Sequence, residues 1–243
     1  MTTSSFDPSV MNIIADNIKF IKNDIAEAAI KAGRSPDDVR LMAVTKTVSV
    51  DKINFAIDNC GVDLIGENKV QEFLSKKDDL HLEGVEKHLI GHLQTNKIKK
   101  ILPLVDMIQS VDSLHLAEAI SKEAVESDLV ANILLEVNIG DEESKTGFDK
   151  VEFLESLEAI SLLPNINVKG MMTIPPICDD DLLLEKYFSK MNDYYNEIKG
   201  KNFSNFDFQI LSMGMSGDYK QAVLHGSNLV RVGSAIFGAR IYK

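Results

Sequence analysis

The stretch RLMAVTK, residues 40–46, is apolar from Leu41 to Val44 and ends on a single lysine, Lys46. Alternate side chains of a strand point to the same face, so Lys46 shares a face with Met42 and Val44. If that face points into the fold, the ammonium stands at the mouth of a pocket. Desolvation there lowers the pKa of a lysine, and the neutral amine can then attack a carbonyl carbon. The alternative is a strand-end lysine that reaches into solvent.

The same unit, an apolar strand followed by a helical pattern, recurs along the chain. Strands are predicted at residues 40–46, 62–68, 87–94, 105–111, 131–140, 166–175, 206–214 and 228–238. Their Val, Ile and Leu content is typical of a parallel sheet covered on both faces, and eight units in 243 residues are typical of a (β/α)8 TIM barrel. We therefore predict an α/β fold with a single domain over residues 1–243. A doubly wound open sheet is the alternative.

An additional helix is predicted before the first strand. Val10 and a series of isoleucines recur at spacings of three and four residues, which predicts an amphipathic helix over residues 9–32. Asp7 and Pro8 provide an N-cap and a first helical residue, and Gly33 ends the helix.

Composition and charge exclude several classes of protein. The chain has 26 Lys and Arg against 37 Asp and Glu, a net charge of −11, which argues against nonspecific nucleic-acid binding. Its two cysteines, Cys60 and Cys178, have no metal-site or disulfide spacing, and no partner is spaced to make His92 a metal ligand. No segment is typical of a membrane span or a signal peptide, so a cytoplasmic protein is expected.

Polar side chains stand at the carboxyl ends of the predicted strands. In a barrel these ends meet at one mouth, where active sites form. The residues concerned are Lys46, Asn68, His92, Asn138, Ser212 and Ser234. Asn68 is also predicted to be the N-cap of the helix that follows it.

Arg231 interrupts the apolar strand NLVRVGSAIFG, residues 228–238. A buried arginine keeps its proton and needs an acceptor, which is either a carboxylate of the fold or a ligand. Gly233 shares its face and would leave room for a ligand to approach.

Two glycine- and serine-rich turns follow the last two strands, in LSMGMSGDY (211–219) and in VGSAIFGAR (232–240). Such turns at helix starts bind anions, and a barrel commonly binds phosphate after strands seven and eight. A lysine amine, a phosphate site and an arginine together fit one ligand, pyridoxal 5′-phosphate (PLP).

The chain resembles the YggS/PROSC family of pyridoxal phosphate homeostasis proteins. The resemblance runs from about Asn12 to Arg240. It rests on seven motifs that stand in the family's order: AVTK, IGENKVQE, IGHLQTNK, VNIGDEESKTGF, GMMTIP, LSMGMSGDY and RVGSAIFGAR. It implies the alanine-racemase-like (fold type III) barrel.

The resemblance also implies roles for individual residues. Lys46 would form the Schiff base with PLP, and Arg231 would face the pyridine nitrogen. Ser212, Gly233 and Ser234 would hold the phosphate, and Asn68 would line the pocket. The chain has Lys69 where the family often has an aromatic residue or arginine, and Ser234 where it often has threonine.

The residues favour a PLP carrier over a catalyst. An arginine does not protonate the pyridine nitrogen, so the ring is a weak electron sink. Alanine racemase takes its second base from a further domain, and this chain ends at Lys243. We therefore expect a monomeric, non-catalytic protein that holds PLP and supplies it to apo PLP-dependent enzymes.

Two alternatives stay open. One is an amino-acid racemase or related PLP enzyme, for which His92 or Tyr219 would be the base. The other is a class I aldolase that uses Lys46 on a sugar phosphate.

Overall fold

Eight parallel strands form a closed barrel in chain order, and the last strand pairs with the first. The structure is a computed structural model that describes residues 8–140, 146–176, 178–201 and 203–238. The strands are β1 (Arg40–Val44), β2 (Leu64–Glu67), β3 (Glu86–Leu89), β4 (Met107–Val111), β5 (Ala131–Glu136), β6 (Ile166–Met172), β7 (Phe206–Ser212) and β8 (Leu229–Val232). The predicted barrel is confirmed, and each predicted strand overlaps an observed one.

Several predicted strands extended too far at their carboxyl ends. β5 ends at Glu136 and β8 at Val232, whereas the predictions ran to residues 140 and 238. Apolar residues beyond these ends, such as Ile139 and Ile236, are also buried. Apolar character therefore could not mark where the chain leaves the sheet.

Helices alternate with the strands. They are α1 (Pro8–Lys31), α2 (Val50–Cys60), α3 (Val70–Lys76), α4 (Ile98–Ile101), α5 (Leu114–Glu126), α6 (Lys150–Ser161), α7 (Asp181–Lys199), α8 (Tyr219–Leu224) and α9 (Ser234–Phe237). Among these described helices, none has the length and apolar composition needed to cross a membrane.

The predicted N-terminal helix is confirmed as α1. Its isoleucines Ile14, Ile18 and Ile21 are buried against the barrel, and Gly33 (φ 72°) follows its end in the left-handed conformation that favours glycine. The proposed N-cap, Asp7, lies outside the described residues.

The strands separate two layers of side chains. Met42, Val44, Leu64 and Leu229 lie in one buried cluster inside the barrel, whereas Ala43 packs outward against α1. The face that carries Met42 and Val44 is therefore the interior face, which places Lys46 at the barrel mouth.

Helix α1 joins the two short helices that follow β7 and β8. The Asn17 amide donates to the Ile236 carbonyl in α9 at 3.0 Å. In α8, the Tyr219 hydroxyl donates to the Asp24 carboxylate at 2.6 Å, and Lys220 forms an ion pair with the same carboxylate at 2.6 Å. The extra helix therefore supports the side of the barrel where the phosphate turns were predicted.

Candidate functional site

Lys46 lies in the turn that follows β1 and is half-buried. Its ammonium donates to the Asn68 side-chain oxygen at 3.5 Å, which links the ends of β1 and β2. The next residue, Thr47, has a φ of 63°, which is uncommon for a residue with a β-branched side chain. Residues held in such a conformation cluster at functional sites when their surroundings over-determine it.

A buried ionic cluster holds this turn in place. Lys76 contacts the Glu67 carboxylate at 2.5 Å and the Glu72 carboxylate at 3.2 Å, and it donates to the Thr45 carbonyl at 2.9 Å. Glu72 in turn accepts the backbone N–H of Thr47. Burial raises the pKa of Glu67, and Lys76 opposes this shift. Both residues that flank Lys46 are thus fixed by the same cluster, which the sequence analysis did not identify.

Asn68 does not cap the helix that follows it, so that prediction was wrong. Helix α3 begins at Val70, and its N-cap position is Lys69, which makes no side-chain capping hydrogen bond. Because the helix begins one residue later than predicted, the Asn68 side chain is free of the helix end and contacts Lys46 instead. Lys69 is exposed.

A cavity of about 260 Å³ brings together three of the predicted site residues, Lys46, Gly233 and Ser234. It is comparable with the smallest ligand pockets, roughly 300 Å³. Lys52, from the first turn of α2, also lines it and adds a second cation that the sequence analysis missed. A Cβ atom at Gly233 would lie 3.2 Å from the Cβ of Val44. Glycine at this position therefore lets β8 approach β1 closely beside the cavity that it lines.

The serine beside this cavity is Ser216 and not Ser212. The Ser216 hydroxyl accepts the backbone N–H groups of Gly233 and Ala235, each at 3.3 Å. Ser212 pairs in register with Leu229, four residues before Gly233, a separation of roughly 13 Å at ~3.3 Å per residue. The structure therefore does not bring Ser212 to the turn that carries Gly233 and Ser234.

Arg231 lies inside the barrel and is 3% exposed. Its guanidinium donates to the Ser212 hydroxyl at 2.6 Å and to the Thr173 carbonyl at 2.8 Å. Burial lowers its pKa to about 10, opposed by the charges of Glu136 and Asp218, so it stays protonated at neutral pH. Among the described residues no carboxylate lies within hydrogen-bonding distance, and the other guanidinium N–H groups have no acceptor.

The two residues considered as bases differ in position. His92 lies at the mouth after β3, is 54% exposed at its side chain and contacts the Asp112 carboxylate at 3.0 Å. Tyr219 is buried on the outside of the barrel, where its hydroxyl bonds to Asp24 of α1. Burial and Asp24 raise the pKa of Tyr219. Tyr219 is therefore not placed to act as a base at the mouth.

Comparisons with known proteins assign the chain to a family. A family model described as "Alanine racemase, N-terminal domain" matches residues 17–241. A curated protein from Aquifex aeolicus, named "Pyridoxal phosphate homeostasis protein", is 39% identical over 218 residues, which cover 90% of this chain and 94% of that protein. The chain belongs to the pyridoxal phosphate homeostasis protein family.

Two further proteins are similar along nearly their whole length. The protein of the same name from Escherichia coli K12 is 35% identical over 235 residues and is matched over 99% of its length, with 96% of this chain covered. PipY of Synechococcus elongatus PCC7942, whose structure was solved with PLP bound, is 32% identical with a TM-score of 0.77. That alignment covers 88% of this chain and 100% of PipY.

Proposed function

We propose that this protein binds PLP as a Schiff base on Lys46 and takes part in intracellular PLP (vitamin B6) homeostasis, supplying the cofactor to PLP-dependent enzymes. The observation that carries the proposal is the cavity that Lys46 shares with Gly233 and Ser234. An amine and a hydroxyl therefore line the same space. The PLP-bound structure of PipY supports the same ligand.

The residues present fit the parts of PLP. Ser234 and Lys52 would hold the phosphate, because a hydroxyl and a cation complement its charge. Arg231 has N–H groups without an acceptor among the described residues, and the pyridine nitrogen of PLP is an acceptor. Asn68, which contacts the Lys46 ammonium, would orient the amine. Ser212 would contribute by accepting a hydrogen bond from Arg231, and it would not contact the phosphate.

The bond to PLP would form and break without an oxidant, a reductant or a metal. The neutral Lys46 amine attacks the PLP aldehyde carbon, a carbon–nitrogen double bond replaces the carbon–oxygen double bond, and one water leaves. Water would reverse this step and return free PLP and the Lys46 amine. The lysine amine of a recipient enzyme would instead replace Lys46 on the same carbon, which frees Lys46 and leaves PLP bound to the recipient. Bound PLP supplies carbanion stabilisation, and Arg231 limits it because it gives no proton to the ring nitrogen.

A carrier role without turnover is the proposal that the site supports best. Carbanion chemistry at the mouth would need a base, and Tyr219 lies outside the barrel. We propose further that the protein acts as a cytoplasmic monomer whose partners are PLP and the apo-enzymes that receive it. No contact with nucleic acid or a membrane is part of this proposal.

A racemase or related activity is the second candidate, because His92 and Asp112 form a hydrogen-bonded pair at the mouth. A histidine oriented by a carboxylate is a common general base. Sustained exchange of an amino acid's α-hydrogen for deuterium, abolished in His92→Gln, would establish this activity. An absence of exchange above the rate of free PLP supports the carrier.

The proposed function is tested by borohydride reduction of the PLP-treated protein and mass analysis of its peptides. We expect one pyridoxyl adduct, on Lys46, and loss of the yellow colour in Lys46→Ala, while Lys52→Ala keeps the colour but binds PLP more weakly. An adduct on another lysine would contradict the site. A protein that stays colourless with PLP but forms a reducible adduct with a sugar phosphate would indicate the aldolase.

A further inference from the structure

A line of hydrogen-bonded polar side chains runs through the barrel interior below the mouth. The Arg231 guanidinium contacts the Ser212 hydroxyl at 2.6 Å, and that hydroxyl contacts the Gln109 amide oxygen at 2.7 Å. The Gln109 amide nitrogen contacts His88 Nδ1 at 2.7 Å, and His88 Nε2 contacts the Glu86 carboxylate at 2.6 Å. We call these five residues the axial chain.

The donors and acceptors of these groups give the bonds one consistent direction. Arg231 can only donate, so the Ser212 oxygen accepts and its own hydrogen points to Gln109. The Gln109 oxygen therefore faces Ser212, and its NH₂ group donates to His88 Nδ1. His88 Nδ1 then accepts, and the hydrogen on Nε2 donates to Glu86.

The axial chain has further hydrogen bonds at both ends, and its middle residues are buried. At the far end Glu86 also accepts from Arg40 at 2.7 Å, close to solvent. His88 is 1% exposed, and Gln109 and Ser212 are each 0% exposed. Breaking any inner bond would leave a buried donor or acceptor without a partner, which is costly in the protein interior.

We infer that Gln109 and His88 are positioning residues that fix the plane of the Arg231 guanidinium through the axial chain. The inference rests on the proposed function in one respect, which is that the pyridine nitrogen of PLP lies against Arg231. None of the five residues lines the cavity itself, but Arg231 lies on β8 two residues before Gly233, which does. Arg231 is therefore the member of the axial chain through which Gln109 and His88 would act on the cofactor. If Gln109 and His88 only stabilised the fold, replacing them would change the free energy of unfolding but not the hydrogen exchange of the Arg231 side chain.

The test uses nitrogen-15 NMR of the full chain without PLP, and compares Gln109→Met with Ser121→Ala. Methionine has the length of glutamine but cannot pair with Ser212 or His88 in the same way. Ser121 is buried in α5 and bonds to the Pro164 carbonyl at 2.6 Å, so its loss is a matched control for a buried hydrogen bond.

We expect the hydrogen of wild-type His88 on Nε2 and not on Nδ1, with slowly exchanging Arg231 side-chain N–H groups. In Gln109→Met the exchange of these groups should quicken about ten-fold, and binding of pyridoxine 5′-phosphate should weaken about five-fold, as for a lost buried hydrogen bond. Pyridoxine 5′-phosphate has no aldehyde, so its affinity reports ring and phosphate contacts alone. Ser121→Ala should change neither quantity.

A wild-type His88 protonated on Nδ1 would overturn the inference, whether or not the variant folds. So would unchanged Arg231 exchange in Gln109→Met. If the wild-type chain binds neither PLP nor pyridoxine 5′-phosphate, the proposed function fails. The His88 form and the Arg231 exchange then still decide whether the axial chain positions Arg231.

Discussion

Glu86 joins the axial chain to solvent, and its environment predicts a pH dependence of stability. The hydrogen bond from His88, against the opposing effect of burial, and the hydrogen bond and charge of Arg40 lower the pKa of Glu86 from 4.5 to about 2. A carboxyl with a lower pKa in the folded state stabilises it above the unfolded pKa. That contribution is lost as the pH falls through the folded pKa.

We therefore expect wild type to lose more free energy of unfolding than Glu86→Gln as the pH falls from about 6 to about 3. The difference should be roughly 1–2 kcal/mol, allowing for solvent screening at this partly exposed group. Urea unfolding at a series of pH values measures it. Parallel curves for the two proteins would contradict the prediction.

Lys76 neutralises Glu67 in the interior, beside the turn that carries Lys46. Lys76→Met should reduce the free energy of unfolding by about 3 kcal/mol, because it leaves a buried carboxylate without its cation. It should also weaken PLP binding, because Lys76 holds the Thr45 carbonyl next to Lys46.

The double variant Glu67→Gln with Lys76→Met is the control for this prediction. Replacing both partners of a buried ion pair often costs little, so the double variant should be closer to wild type than the single one in urea unfolding. If the single and double variants are equally unstable, the ion pair is not the reason for the loss.

At the scale of single residues, the sequence predicted the orientation of side chains that follow the periodicity of a strand. Lys46 and Arg231 share faces with apolar neighbours, and those faces point inward. The two serines of LSMGMSG could not be distinguished, because the outcome depends on where β7 ends. Gly214, with a φ of 96°, turns the chain after Ser212, and Ser216 contacts the backbone N–H of Gly233.

At the scale of elements, α1 is joined to the barrel by a buried polar contact as well as by its apolar face. Asp24 accepts from Tyr219, which is buried, and pairs with Lys220, whose side chain is 54% exposed. The helix itself was predictable from its isoleucine spacing. Its polar partners were not, because they lie on α8, near the other end of the chain.

Removing these two partners should have unequal effects. Tyr219→Phe should lower the free energy of unfolding by about 2 kcal/mol, since it removes a buried hydrogen bond to a charged group. Lys220→Ala should cost less than about 1 kcal/mol, because its ion pair is exposed. Amide hydrogen exchange in α1 should quicken in Tyr219→Phe more than in Lys220→Ala, and equal effects would contradict this account of how α1 is attached.

At the scale of the molecule, closure of the barrel creates the cavity. Lys46 follows the first strand and Ser234 the last, and they share a cavity because β8 pairs with β1. In an open sheet these two strands would lie apart. The site could therefore be predicted only together with the closed barrel. The contacts of Lys52 and Lys76 depend on helix placement, which strand periodicity does not determine.

A ligand that bridges β1 and β8 should stabilise the closed barrel as a whole. At a PLP concentration about 100 times the dissociation constant, binding to the folded state adds ~2.7 kcal/mol, which should raise Tm by roughly 5–10 °C for a chain of this length. Scanning calorimetry with and without PLP measures the shift. Lys46→Ala should lose most of the shift with PLP yet keep the wild-type shift with pyridoxine 5′-phosphate, which cannot form the covalent bond. Equal Tm shifts for wild type and Lys46→Ala with PLP would mean that the bond to Lys46 does not stabilise the folded barrel.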